Sequence, residues 1–350
     1  MRAGSVDRTN NFDLLRLAAA TQVLLTHGAH HLKLATPAWW PILESLPGVP
    51  IFFVISGFLV SDSYERSRSL GNYLGKRAIR IYPALWCCIV ATVVVAALHG
   101  FDFLHWPALG WFVAQCVGLI YTPDFLRDFG FGSYNGALWT IPIELQFYVV
   151  LPILYAVARR IGGERAVMVG AFVGFLALAV GLRLALDGPE GPVEKLIRYS
   201  FLPHFFLFLA GLLLRQAGVQ RSHWIAGRGL WWLAAYLLAM NLLPGGDLLH
   251  FASRLLLAVA VVALAFSAPA LSDRVLRGQD FSYGIYIYHG LMMNLLIEQG
   301  LMGSVAAYAL LILLSSAAGV ASWFAVERPL LRRKSRPAGI AIEASEKTAW

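Results

Sequence analysis

Residues 104–123 read LHWPALGWFVAQCVGLIYTP. The stretch is apolar enough to be counted as a membrane span. It also holds Pro107, Gly110, Gly118 and Pro123, and it leads into the glycine-rich run 130–136. How it is read decides the fold. Around it lie ten other apolar segments: 14–32, 46–64, 79–98, 137–158, 166–186, 199–218, 229–244, 250–270, 281–299 and 302–325. A helix needs about 20 mostly apolar residues to cross a bilayer. Basic side chains prefer the cytoplasmic loops, and they set the parity of crossings. Arg66, Arg68, Lys76, Arg77 and Arg80 come before the segment, and Arg159, Arg160 and Arg165 follow 137–158. Both clusters face the same side only if an even number of crossings separates them, and three candidates lie between. Segment 104–122 is the one whose prolines and glycines suit a re-entrant or interfacial piece, because irregular backbone is tolerated at that depth only where protein or a cavity covers it. The expected fold is therefore an all-α, polytopic membrane helix bundle. It has ten transmembrane helices plus one re-entrant or interfacial segment at about 104–122, with both termini cytoplasmic.

The remaining charge follows the same threading. Arg215, Arg221, Arg228, Arg274 and Arg277 fall on the cytoplasmic side, as do Arg2, Arg8 and the tail residues Arg328, Arg332, Arg333, Lys334, Arg336 and Lys347. Only Lys33, Arg127, Lys195 and Arg198 fall outside. The chain has 350 residues, of which 58% are hydrophobic and 14% charged, against about 25% charge in a soluble domain. With mean hydropathy at +0.64, this excludes disorder, a coiled coil and an ordinary soluble globule. The net charge of +8 speaks for threading rather than for nucleic acid. Cys87, Cys88 and Cys116 make no CxxC pair and read as core thiols. Arg16 and His27 interrupt the first apolar stretch, which argues against a cleaved signal. We expect a single membrane-embedded domain over 1–330 and a disordered cytoplasmic tail over 331–350. No GxSxG, HExxH or GxxxxGK[ST] motif occurs.

Charge inside a membrane is expensive, about 2.5–3.5 kcal/mol per group on insertion scales, so buried ionisable residues are the first functional candidates. Arg16 and His27 are eleven residues apart on the first span. That is about 16 Å along the axis and nearly the same helix face. Together they suggest a polar path, although Arg16 also suits a snorkelling anchor and His27 a hydrogen-bonded core histidine. His30 and His31 read as interfacial, and no carboxylate or cysteine at ligand spacing supports a metal site. Glu144, within Trp139-Thr-Ile-Pro142-Ile-Glu144-Leu-Gln-Phe-Tyr148, enters from outside to a depth matching His27. The two can form a pair in which the carboxylate orients the imidazole. The alternative is a structural pairing of Glu144 with Arg183 or Arg254. Arg77 and Arg80 share a helix face at the cytoplasmic boundary and suit phosphate, or lipid headgroups.

These pieces, in this order, resemble the acyltransferase family 3 integral-membrane enzymes over about residues 10–330. Carrying the resemblance are Arg16-x10-His27; Pro47-Gly-Val-Pro-Ile-Phe-Phe-Val-Ile-Ser56-Gly57-Phe58-Leu59; Arg77-x-x-Arg80 with Pro83; the block Trp139 to Tyr148; Phe208-Leu-Ala-Gly211; Phe281-Ser282-Tyr-Gly-Ile-Tyr286-Ile-Tyr288-His289; and Glu327-Arg-Pro329. Pro50 departs from the pattern, which commonly has a small or polar residue there. No segment resembles the extracytoplasmic esterase-like domain of some members, so a partner protein supplied in trans stays open.

The resemblance implies an O-acyltransferase of a bacterial cytoplasmic (inner) membrane. It would move an acyl group, expected to be acetyl, from cytoplasmic acyl-CoA to a hydroxyl of an extracytoplasmic or lipid-linked carbohydrate. Acyl-CoA would be a co-substrate, with no tightly bound cofactor and no metal. His27 and Glu144 are the catalytic candidates, and Arg16, Arg77 and Arg80 the acyl-CoA-binding candidates. Trp139, Tyr148, Ser56, Tyr286 and His289 are the candidate substrate contacts. An acceptor site is expected beside 104–136, and Trp106, Trp111, Trp139 and Tyr134 either stack on sugar or form an interfacial belt. Two other classes remain: a transporter or flippase of a lipid-linked sugar or acyl donor, and a non-catalytic assembly protein.

Overall fold

A computed structural model describes residues 10–186, 188, 191–268 and 270–335. The described residues are helical, with no strand among them. The helices are α1 (Phe12–His31), α2 (Trp40–Glu44), α3 (Gly48–Glu65), α4 (Leu70–Leu98), α5 (Trp106–Cys116), α6 (Thr140–Ile161), α7 (Glu164–Ala185), α8 (Pro192–Arg198), α9 (Phe205–Gln216), α10 (Gly229–Leu242), α11 (Asp247–Ala265), α12 (Leu271–Leu276), α13 (Ser282–Glu298), α14 (Val305–Ser322) and α15 (Arg328–Ser335). A π turn over Trp323–Glu327 joins the last two. Arg2 and Arg8 lie outside the described residues, as does 336–350; residues 331–335, the start of the tail expected to be disordered, are helical within α15.

Six helical stretches among the described residues are long and apolar enough to cross a membrane. They are Trp40–Glu65, Leu70–Leu98, Gly136–Ile161, Glu164–Ala185, Asp247–Ala265 and Val305–Arg332. The apolar runs at 199–218 and 229–244 give helices of only 12 and 14 residues. In the first run the helix begins after Pro203, and residues Phe205 to Leu212 are all buried. An internal helix and a crossing helix are equally apolar, and this explains why the run looked longer than the helix it forms.

Segment 104–122 contains α5, eleven residues long, or about 16 Å against a hydrocarbon core of about 30 Å. Its end is tied to the middle of α4, where Trp86 Nε1 donates to the Cys116 carbonyl at 2.8 Å and Tyr82 Oη to that of Val117 at 3.2 Å. The chain then turns back at Gly118, whose φ is +90°. The return strand of irregular backbone leans on α13. Asn294 Nδ2 donates to the Ser133 and Tyr134 carbonyls, and Glu298 accepts from Gly130 N at 2.6 Å. Buried polar backbone is thus satisfied by side chains, as a low-dielectric site requires.

Residues 62–70, 152–165 and 215–221 line one cleft of about 1300 Å³. The loops after α3, α6 and α9 therefore meet at one end of the bundle, called the basic end below. α4 leaves that end and α6 returns to it. α3 and α9 run side by side in the same direction, starting halfway along the bundle and ending there. Their backbones touch: a Cβ on Gly57 would sit 1.8 Å from the Phe208 carbonyl oxygen, and one on Gly211 would sit 2.1 Å from that of Val54. Small residues at this crossing permit the approach.

Candidate active site

Near the basic end a cavity of about 620 Å³ opens between α1, α3, α4 and α6. Arg16, Ser56, Arg77, Arg80, Glu144 and Tyr148 all line it. Six predicted site residues, drawn from four helices, thus share one space. Their charges are not equivalent. Arg80 pairs with Asp280 and, at 3.6 Å, with Glu327. Arg16 reaches Asp13 at 3.2 Å and Asp280 at 3.8 Å. Two guanidiniums are therefore already countered by three carboxylates. Arg77 is different. It donates to Ser63 Oγ at 3.3 Å and lies over the Tyr148 ring at 5.8 Å. No carboxylate among the described residues pairs with it, and its Nε is buried without a partner. Among the described residues Arg77 therefore keeps a charge that no carboxylate pairs with, as does Lys76, which lines the same cavity and donates to Ser67 Oγ at 3.3 Å. The neighbouring basic cleft shares Asp62 and Arg66 with this cavity and adds Arg68, Arg159, Arg165 and Arg221.

Asp280 and Glu327 were not among the predicted site residues. Asp280 sits just before one of the blocks that carried the resemblance and Glu327 opens another, but nothing in one sequence links Asp280 to Arg80 across 200 positions. Burial by itself would push the Asp280 carboxyl up. The Arg80 and Arg16 guanidiniums beside it more than offset this, and hold it below the ordinary aspartate range.

The expected pairing of Glu144 with His27 is not formed. Glu144 accepts the Tyr148 hydroxyl one turn along α6 and faces the Arg77 cavity. Nor does it meet the two arginines considered for it: Arg183 pairs with Asp247 on α11, and Arg254 makes no ion pair among the described residues.

The partner of His27 is His289. His27 Nδ1 lies 3.2 Å from His289 Nε2, and His289 Nδ1 lies 2.6 Å from the Tyr286 carbonyl oxygen. His289 is fully buried. These contacts fix the tautomers of the neutral pair. A carbonyl only accepts, so His289 carries its proton on Nδ1 and its Nε2 must accept. His27 therefore donates through Nδ1, which leaves its Nε2 as a bare lone pair. The chain of polar contacts continues, since the Tyr286 hydroxyl meets Thr140 Oγ1 at 3.0 Å at the start of α6. A histidine held in one tautomer by a buried acceptor is suited to take a proton on its free nitrogen. The role assigned to Glu144 as orienter falls geometrically to His289, which had been placed only among candidate substrate contacts.

The remaining aromatic candidates separate. Trp111 and Tyr134 are buried between α5 and the irregular backbone that follows it, their rings 5.1 Å apart, with Trp111 Nε1 donating to the Tyr121 carbonyl and Tyr134 Oη to Gln115. They are neither a sugar platform nor a belt. Trp106 is exposed. His31 stacks on Phe131 at 4.0 Å. Trp139 lines a different cavity, at the start of α9.

The profile of an acyltransferase-domain family matches residues 9–328, and the match settles the class. The chain belongs to acyltransferase family 3. It is 33% identical to nodulation protein 10 of Rhizobium leguminosarum bv. viciae, covering 93% of this chain and 94% of that protein. It is 27% identical to an O-acetyl transferase of Shigella phage Sf6, over 94% and 98%. It is 29% identical to the exopolysaccharide production protein ExoZ of Rhizobium meliloti strain 1021, over 85% and 94%. No solved structure matches it. With six membrane-capable helices, it is an integral-membrane acyltransferase.

Proposed function

We propose that this acyltransferase transfers an acetyl group from acetyl-CoA, bound from the cytoplasm, to a hydroxyl of an extracytoplasmic or lipid-linked carbohydrate in a bacterial cytoplasmic membrane. The observation that carries the reading is the bare Nε2 of His27, set by His289, on a helix whose other end lines the Arg77 cavity. The relatives' names support O-acetyl transfer and a polysaccharide context. The threading behind it has ten crossings, α5 re-entrant, and both termini cytoplasmic. The meeting of the loops after α3, α6 and α9 at one end supports it.

The donor's diphosphate sits on Arg77, whose charge no carboxylate among the described residues counters, with Arg16 and Arg80 as a neutralised wall. Its nucleotide end has room in the basic cleft. From Arg16 to His27 is about 16 Å along α1, a span the pantetheine arm covers. His27 Nε2 takes the proton of the acceptor hydroxyl as the oxygen attacks the thioester carbonyl. The C–O bond forms, the C–S bond breaks, and CoA leaves as thiolate. The imidazolium that forms is supported through its Nδ1–H bond to His289. Glu144, held by Tyr148, flanks the arm's route and serves as its polar lining. In the test, purified protein in nanodiscs receives labelled acetyl-CoA and crude envelope glycan. Label is expected to enter the glycan only with both protein and donor present. Absence of transfer, with the protein folded and donor bound, contradicts the reading.

A further inference from the structure

A second cavity of about 520 Å³ lies away from the basic end. Its charged and titratable lining is Arg183, Arg198, Arg254, His204, His250 and Asp247. Among the described lining residues the carboxylate is Asp247, which pairs with Arg183. Arg254 lies on the apolar helix α11, seven residues after its first residue, Asp247, or about 10 Å along the axis. It has no hydrogen bond and no carboxylate partner among the described residues. An unpaired guanidinium at that depth is costly unless a ligand completes it.

Backbone adds to the same field. The broken helix pair α2–α3 restarts at Gly48, level with Gln22 in the middle of α1, where Gln22 Oε1 accepts from Gly48 N at 2.9 Å. The next residues, Val49 and Pro50, line the cavity. α9 starts at the same place, with Pro203 and His204 in the lining. Two helix N-termini thus open at mid-depth onto a cavity already rich in guanidinium. Discontinuous helices whose positive ends face a central cavity suit anionic substrate groups. The rest of the wall is apolar, with Leu182, Leu186, Phe206 and Phe251. The Pro50 that departs from the family pattern is one of its lining residues. On the reaction-centre side, Phe53 lines both this cavity and the Arg77 cavity. Its neighbour Phe52 packs on Tyr286, which packs on His289.

We infer that this cavity binds the diphosphate of a lipid-linked carbohydrate, with Arg254 as its central ligand, so that the acceptor is held by its anion while its sugar reaches towards His27. That the bound molecule is the acceptor rests on the function proposed above. The binding itself does not, so the two can fail separately.

The test uses the full chain in phosphatidylcholine nanodiscs, without acyl-CoA, and measures binding of radiolabelled farnesyl diphosphate. Saturable binding is expected, at least tenfold tighter than that of farnesol. Arg254→Gln should weaken it at least tenfold, Arg254→Lys should restore much of it, and His27→Ala should leave it unchanged. Inorganic pyrophosphate should compete at least tenfold less well than the lipid diphosphate. Equal binding of farnesol, or wild-type binding by a folded Arg254→Gln protein, would overturn the anion site. Displacement by phosphatidylglycerol at equal potency would make it an ordinary headgroup site, and equal competition by pyrophosphate would remove the lipid-linked part. Binding without acetyl transfer would contradict the proposed function and leave this inference standing. Transfer without diphosphate binding would do the reverse.

Discussion

Replacing His289 tests the tautomer argument where it is most exposed. His289→Phe keeps a ring of similar size in the buried site but removes the acceptor for His27 Nδ1–H. The bond joins two neutral groups in the resting enzyme and becomes charge-assisted when His27 takes the proton. Hydrogen bonds to charged groups contribute about 1.5–3 kcal/mol, which corresponds to a roughly 10- to 150-fold loss in kcat. The donor KM should stay close to wild type, because His289 is not in the lining of the Arg77 cavity. His289→Gln, whose amide oxygen can accept from His27, should recover part of the rate. The assay is acetyl transfer by nanodisc-embedded protein at saturating acetyl-CoA, with thermal melting of each variant as the folding control. In the double variant with His27→Ala, the second change should add little, since positioning has no value once the base is gone. A folded His289→Phe enzyme within twofold of wild type would refute the reasoning. So would a double variant whose losses simply multiply.

Other outcomes follow from the same geometry. Arg77→Ala should raise the donor KM about tenfold or more with a smaller effect on kcat, and Arg77→Lys should fall between, because lysine keeps the charge but not the planar fork; initial rates against acetyl-CoA concentration decide it. Asp280→Asn removes the carboxylate that Arg80 and Arg16 share and leaves them Glu327 and Asp13; losing one partner of a buried pair costs up to about 3–5 kcal/mol, to be read as a lower melting temperature in detergent. The wild-type contribution of Asp280 has a defined pH sign. Its folded pKa is depressed, so its stabilisation is complete above the ordinary aspartate value of about 3.9 and is lost as the pH falls through the lower folded value. The melting temperature should therefore drop in that window in wild type and less so in Asp280→Asn. Gly57→Ala places a methyl 1.8 Å from the Phe208 carbonyl oxygen and should abolish the monodisperse folded fraction in size-exclusion chromatography.

Much of the architecture was legible because bilayer physics writes it into composition. Helix after helix appeared as an apolar run, and the parity of the arginine-rich loops singled out 104–122, which forms an eleven-residue half-helix. The charges of Arg16, Arg77 and Arg80 marked one end of the site in the sequence, whereas Glu144 was expected beside His27 and lines the Arg77 cavity instead. The errors have a common cause. His27 was matched to Glu144 by depth, but depth along two helices says nothing of their rotation or of a third helix between them. The true partner, His289, is 262 residues away, and no single sequence encodes that adjacency in its local pattern. The run 199–218 concealed a short buried helix, because packing against protein and packing against lipid call for the same side chains. For the same reason the cavity at the start of α9 left no mark in the sequence pattern.

The central claim is that His27 is the base for acetyl transfer. The most direct measurement is single-turnover transfer from labelled acetyl-CoA to the acceptor glycan by wild type and His27→Ala at equal donor occupancy. Loss of a positioned general base is worth about 10²- to 10⁴-fold, so the account predicts a drop in that range with donor affinity unchanged. Transfer by a folded His27→Ala protein at the wild-type rate would contradict it.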